Sequence, residues 1–257
     1  MSNPMSLEGK VVMVTGAGQG IGKAIAELAV DLGARVALID VIGDNVNAVA
    51  KALGADKAHA WQGSVADPKF VQDTVEQAVS HFGDLHGLVN NAGIVRAAMI
   101  HKMSLEQWNE VIGVNLTGVF LCLQAVGRHL LKKAEAGDKQ PGRIVNISSD
   151  AGRRGTIGQI NYGAAKSGVM GITMSAAREW ARHSINVNSV CFGVVETPMT
   201  ETIRGPKFRD GVLANVPMGR FSTPEEVAQP VCFLLSDAAS YITGQHLSPN
   251  GGYVISS

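Results

Sequence analysis

Apolar positions along this chain alternate between two rhythms. Val11–Val14, Arg35–Asp40, Gly87–Asn90, Arg143–Ser148 and Ile185–Val190 are short runs centred on Val, Ile, Leu or Met, unbroken in Val11–Val14. Such runs read as strands buried on both faces. His59–Gln62 is a weaker strand, and Gln245–Leu247 a short last one. Between them the spacing turns helical. Ile21, Ile25, Leu28 and Ala29 fall on one face of a helix from about Gly20 to Leu32, which Gly33 ends. Asp44–Leu53 is helical. Asp67-Pro68 pairs a capping side chain with proline at the first helical position and opens a helix to about Phe82. Ser104 caps a long helix to about Lys133, and Tyr162–His183 forms the next. Pro224 opens a helix to about Ser236. The stretch 134–142 is a polar loop, and 193–215 carries no clear period.

Strands and helices alternate throughout, which predicts a parallel sheet with helices on both faces. Right-handed crossovers make such a sheet doubly wound. The fold expected is α/β and Rossmann-type, with about seven strands. No linker or repeat interrupts it, so one domain is expected over 1–257.

Composition narrows the function. Twenty-two basic side chains balance 22 acidic ones, so no field of one sign is available to draw nucleic acid or an anionic membrane. Cys122, Cys191 and Cys232 lie far apart, no histidines have metal-ligand spacing, and no metal is expected. No signal pattern opens the chain, and no run of 18 apolar residues appears. The expected location is cytoplasmic.

The first strand meets the first helix through Thr15-Gly16-Ala17-Gly18-Gln19-Gly20-Ile21-Gly22. Glycines there let the backbone approach a pyrophosphate, and the helix N-terminus offers free N–H groups to it. The spacing of Gly16, Gly20 and Gly22 differs from the common G-x-G-x-x-G fingerprint. A ligand-free turn or a methyltransferase loop would look similar. Asp40 ends the second strand 18 positions past Gly22, near the offset of a ribose-binding acid. Its carboxylate would accept from ribose hydroxyls and repel a 2′-phosphate. Gln19 supplies no cation for that phosphate, and Arg35 starts its strand rather than ending it. NAD(H) is therefore expected over NADP(H).

Tyr162 and Lys166 are i, i+4 and share one helix face. A phenol titrates near pH 10, so bringing it to 7 takes about 4 kcal/mol of differential stabilisation. An adjacent ammonium, a cationic nicotinamide and a partly dry pocket could supply this. A surface Tyr–Lys contact is the plain alternative. Ser148-Ser149 closes the fifth strand at the end where ligands bind in open parallel sheets. Its hydroxyl could aim a substrate oxygen at the phenol; a cap or ST-turn is the plain reading.

These pieces, with Asn90-Asn91-Ala92-Gly93, Asn115 and Gly193-x-Val195-x-Thr197, closely resemble the short-chain dehydrogenase/reductase family over the whole chain. The resemblance implies that Tyr162 is the acid/base and that Lys166 lowers its pKa and holds the nicotinamide ribose. It implies that Ser149 positions the carbonyl and that Asn115 holds a water in a proton relay. It sets the coenzyme against Gly16, Gly18, Gln19, Gly20, Ile21, Asp40, Ser64 and Val65. Asn91, Ala92 and Gly93 would pass beneath the adenosine ribose, and Val195 and Thr197 would hold the carboxamide. Met218-Gly219-Arg220-Phe221, Pro224-Glu225-Glu226-Val227-Ala228 and Tyr241-Ile242-Thr243-Gly244 are similar to the 3-oxoacyl-(acyl carrier protein) reductase group, which usually takes NADPH. Two departures stand out. Ser64-Val65 replaces the usual Asp-Val, which implies a looser grip on adenine. Phe192-Gly193 replaces Pro-Gly, which implies a less rigid loop or an aromatic packed on the coenzyme.

Leu116–Leu131 and Gly163–Ala177 are apolar or small nearly all round, and a sheet buries only one helix face. These helices are expected to pair with copies of themselves in a homodimer or homotetramer. Residues 193–215 are expected to form a lid, and Arg153 and Arg154 to flank the pocket mouth. The leading expectation is an NAD(H)-dependent oxidoreductase interconverting a secondary alcohol and a ketone. Its rivals are an NADPH-dependent reductase of 3-oxoacyl thioesters and a non-catalytic NAD-binding sensor or scaffold.

Overall fold

Seven strands, β1 (Val11–Thr15), β2 (Arg35–Asp40), β3 (Ala58–Gln62), β4 (Gly87–Asn90), β5 (Gly142–Ser149), β6 (Ile185–Phe192) and β7 (His246–Leu247), run parallel in one sheet. Their order is β3-β2-β1-β4-β5-β6-β7 in a computed structural model that describes residues 3–255. Met1, Ser2, Ser256 and Ser257, the ends of the expected 1–257 domain, lie outside the described residues. The doubly wound α/β architecture is the one the alternating pattern predicts. Every residue of β1 and β4 is buried, because both faces of the central strands are covered by helices.

On one face lie α1 (Gly20–Asp31), α2 (Gly43–Leu53) and α10 (Pro224–Leu235), packed on Val12, Val14, Val36 and Leu38. On the other lie α3 (Pro68–Phe82), α5 (Gly118–Glu135) and α7 (Ile160–Trp180), packed on Val11, Met13, Leu88 and Ile144. Residues of opposite parity on each strand thus build two separate cores. The predicted caps are present: the Asp67 carboxylate accepts from the N–H groups of Lys69 and Phe70, and Ser104 and Gln107 close a capping box.

Three local departures from the pattern matter. The long helix after Ser104 is not continuous: α4 (Leu105–Ile112) and α5 are joined by a π-helical turn, Gly113–Thr117, which places the Asn115 side chain inward. The Leu105–Glu135 stretch is long and apolar enough to cross a membrane, but half of its most apolar window is buried inside the fold. The stretch 193–215 contains a 3-10 turn (Pro198–Thr200) and two short helices, α8 (Glu201–Arg204) and α9 (Arg209–Leu213). Each is too short to show a period in sequence. A further short helix, α6 (Ala151–Arg154), follows β5 where a plain loop is expected.

The chain winds outward from β1 in one direction through β2 and β3, then returns to β4 and continues the other way. The strand order therefore reverses between β1 and β4, and the crevice at their carboxyl ends is where such sheets hold ligands.

Candidate active site

Thr15 and Asn91 seal the floor of that crevice. The Thr15 hydroxyl accepts from the N–H groups of Asn91 and Ala92, both at 3.0 Å. The Asn91 side-chain amide donates to the carbonyls of Thr15 (3.0 Å) and Gly16 (3.1 Å). The glycine loop is clamped onto this floor. Gly16 has φ +65°, and a Cβ there would sit 2.9 Å from the Ala92 backbone. A Cβ on Gly22 would lie 2.0 Å from the Gly16 carbonyl oxygen, so the first turn of α1 packs directly on the loop. Gln19, at the N-cap, makes no side-chain bond to the helix. The first-turn N–H groups of α1 thus have no side-chain acceptor at the N-cap, the arrangement that suits a phosphate.

A cavity of about 420 Å³ opens above this floor. Gly16, Gln19, Gly20, Ile21, Asp40, Ser64, Val65, Asn91, Ala92 and Gly93 line one end. Ser149, Tyr162, Lys166, Val195 and Thr197 line the other. Fifteen of the expected site residues therefore meet in one crevice, although 181 positions separate Gly16 from Thr197.

Two expected residues are not part of its lining. Gly18 turns its N–H onto the Asp40 carboxylate at 2.9 Å, where its lack of a Cβ leaves room for Asp40. Gly18 therefore braces the loop from behind. Asn115 is fully buried, and its amide closes on Ile94: Oδ1 accepts from the Ile94 N–H (2.8 Å) and Nδ2 donates to the Ile94 carbonyl (2.9 Å). These two bonds shape the segment after β4.

Asp40 uses its second oxygen to accept from the Ile42 N–H at 3.0 Å. Each oxygen keeps a lone pair toward the cavity. Lys166 is the one Lys or Arg among the residues that line the cavity. Arg35 lies over the Phe82 ring instead, with its guanidinium 5.5 Å from the centroid. The Ser64 hydroxyl accepts from the Ala66 N–H and so supports its own loop. Phe192 is buried at the end of β6 and lines the cavity. In the loop beyond it, Arg204 donates to the Thr200 hydroxyl and the Thr197 carbonyl, both at 3.1 Å.

Lys166 is 3% exposed, and its ammonium donates to the Ile147 carbonyl at 2.7 Å, 5.7 Å from the Tyr162 ring centroid. Burial pulls its pKa down to about 8. Burial also pushes the Tyr162 phenol up, and hydrogen bonding by Ser149 pulls it partly back. This corrects the expected depression by Lys166: in the protein alone, desolvation outweighs an ammonium that is directed at the backbone. The phenol therefore rests protonated.

Two positioning roles, those of Asn161 and Ser148, escape a reading of the sequence. Asn161 is fully buried; its Nδ2 donates to the carbonyls of Arg96 and Gln107, and its Oδ1 accepts from the Tyr162 N–H. It pins the start of α7, and so Tyr162, to the segment after β4. Ser148 donates to the Lys166 carbonyl at 2.8 Å, tying β5 to α7. Their only signal is polarity on an inward face. Arg153 and Arg154 turn from the mouth toward the C-terminal segment: Arg153 donates to the His246 carbonyl, and Arg154 bonds and stacks on Tyr253.

Beside Ser149 lies Asp150, 2% exposed, with neither carboxylate oxygen in a hydrogen bond of normal geometry. Burial raises its pKa to about 6, against partial offsets from Asn250, Arg153 and Arg154.

A family model described as enoyl-(acyl carrier protein) reductase matches residues 16–254. The chain is 43% identical over 253 residues to the 3-oxoacyl-[acyl-carrier-protein] reductase of Thermotoga maritima, covering 98% of this chain and all of that protein. It is 42% identical over 248 residues to the protein of the same name from Escherichia coli, covering 96% and 98%. Among solved structures, one described as a candidate NAD(P)-dependent gluconate 5-dehydrogenase from Beutenbergia cavernae, with NADP bound at low occupancy, superposes with a TM-score of 0.90. It is 36% identical and covers 98% of this chain and 99% of that one. A candidate short-chain alcohol dehydrogenase from Sinorhizobium meliloti gives 0.91 at 33% identity, covering 98% of each chain.

Proposed function

The chain belongs to the short-chain dehydrogenase/reductase family and is an NAD(P)-dependent oxidoreductase; from that premise we propose that it uses NAD(H) to interconvert a ketone and a secondary alcohol, with Tyr162 moving the proton. The observation that carries this reading is the meeting of Tyr162, Ser149 and Lys166 at one end of a crevice whose other end is a glycine loop braced by Asp40. Ketone, reduced coenzyme and a proton give secondary alcohol and oxidised coenzyme. The coenzyme supplies or accepts the hydride at its nicotinamide ring.

The chain's own residues do the rest. Ser149 orients the carbonyl oxygen. The protonated phenol of Tyr162 donates to that oxygen as negative charge develops on it, and Lys166 stabilises the phenolate left behind. Because the resting phenol is protonated, the protein is poised as the acid, which suits reduction. Asp40 with Gln19, and no Arg or Lys at that end of the cavity, supports NAD(H): a 2′-phosphate would meet a carboxylate and no cation. On one ketone, kcat/KM with NADH should exceed that with NADPH by at least ~10-fold. A preference for NADPH overturns the assignment.

A second reading, reduction of 3-oxoacyl thioesters, is favoured by the names and identities of the relatives. It uses the same proton path. We also propose a homodimer or homotetramer in the cytoplasm, formed through α5 and α7, where Phe120 and Met174 are 44% and 47% exposed. Light scattering should find no stable monomer at micromolar concentration. The segment 193–215 is proposed as the substrate lid.

A further inference from the structure

Resting on that oxidoreductase reading, we infer that the substrate of this site is a neutral ketone with an apolar chain or ring next to its carbonyl, and that an anionic group close to the carbonyl is rejected. The charges around the site carry this. Lys166 is the single cation lining the cavity, and its ammonium is buried under Tyr162 and bonded to Ile147. Four arginines on segments next to the site make bonds elsewhere. Arg96 pairs with Glu110 at 2.6 Å and donates to its own neighbour's carbonyl. Arg204 faces back into the hinge of the lid through Thr197 and Thr200. Arg153 and Arg154 serve the C-terminal segment. A carboxylate or phosphate next to the reacting carbonyl would lose its water and find no partner.

Apolar side chains supply much of the cavity wall: Ile94, Val114, Phe192, Val195 and Met199 all line it. Met199, which lines the cavity, is 53% exposed. The cavity thus presents hydrocarbon beside a single, buried cation, a surface suited to an alkyl chain or an apolar ring.

The test compares 4-oxopentanoate with its methyl ester, and a series of methyl ketones from 2-butanone to 2-octanone, in NADH and NADPH consumption. The ester should exceed the acid in kcat/KM by at least ~100-fold, and each added methylene should raise kcat/KM by about 2- to 4-fold. Met199→Lys, in the cavity lining and outside the reacting groups, should narrow the ester-to-acid ratio by about 10-fold. Equal or better use of the acid, or a flat chain-length series, overturns the inference. The binding arm is independent of turnover: hexanamide and hexanoate are titrated into the protein–NADH complex and read by nicotinamide fluorescence. Tighter binding of hexanoate overturns the inference even if no compound is reduced. Selective binding of hexanamide with no turnover of any ketone by either coenzyme supports the inference and overturns the catalytic reading.

Discussion

The two ends of this sheet treat buried polar groups in opposite ways. At the amino ends of the strands, Asp84 is a hub. One carboxylate oxygen accepts from the Leu85 N–H (2.7 Å) and faces His129 Nε2 (2.8 Å). The other accepts from the Lys133 ammonium (2.7 Å) and lies 3.2 Å from His86 Nε2. Burial would raise its pKa, but those bonds hold it down at about 2. His86 is kept neutral, near 4, by burial and by the Lys133 charge, and its Nδ1 accepts from the Val11 N–H. At the carboxyl ends, Lys166 makes one bond, Tyr162 is raised by burial, and Asp150 has no well-formed partner. One end spends its hydrogen-bonding capacity on stability; the other leaves it open for a substrate and a coenzyme.

Tyr162→Phe tests this contrast with the largest effect. Turnover should fall by ~1000-fold while NADH binding measured by fluorescence stays within a few-fold, because only the proton path is lost. Retained turnover would refute the acid/base assignment. Asp84→Ala should do the reverse, costing about 2 kcal/mol after allowing for partial exposure and lowering Tm by about 5 °C. It should leave kcat unchanged, and a large loss of kcat with an unchanged melting curve would show that the two ends are not independent.

Asp150→Asn should have the smallest effect and the opposite sign, stabilising the fold by about 1 kcal/mol at pH 7 by removing a buried, poorly paired charge. The pH dependence separates the two ends further. The neutral His86 contributes stability that is complete above about pH 6.5 and is lost as pH falls toward 4. Asp150 runs the other way: its folded pKa of about 6 lies above the ordinary 3.8, so stability is lost as pH rises through that window. In the parent protein the two trends offset each other. In Asp150→Asn, Tm should climb more steeply between pH 4 and 6.5. An unchanged slope would mean that Asp150 does not titrate there.

The repeating apolar runs, the caps at Asp67 and Ser104 and the glycine loop were legible in sequence, because each depends on neighbours within a few residues. So was Asp40, which sits at a strand end fixed by the same rhythm. The sequence also brings Tyr162 and Lys166 onto one helix face, since i, i+4 spacing needs no tertiary information. What it left open is where side chains point once strands far apart in sequence become neighbours. The π-helical turn that swings Asn115 onto Ile94, the amide of Asn161 that pins Tyr162, and the turning of Lys166 toward Ile147 all depend on contacts between segments 19 to 65 positions apart. The direction of the Tyr162 shift belongs with them. Desolvation is a property of everything packed around a group, and a residue's neighbours in sequence are only a small part of what excludes its water.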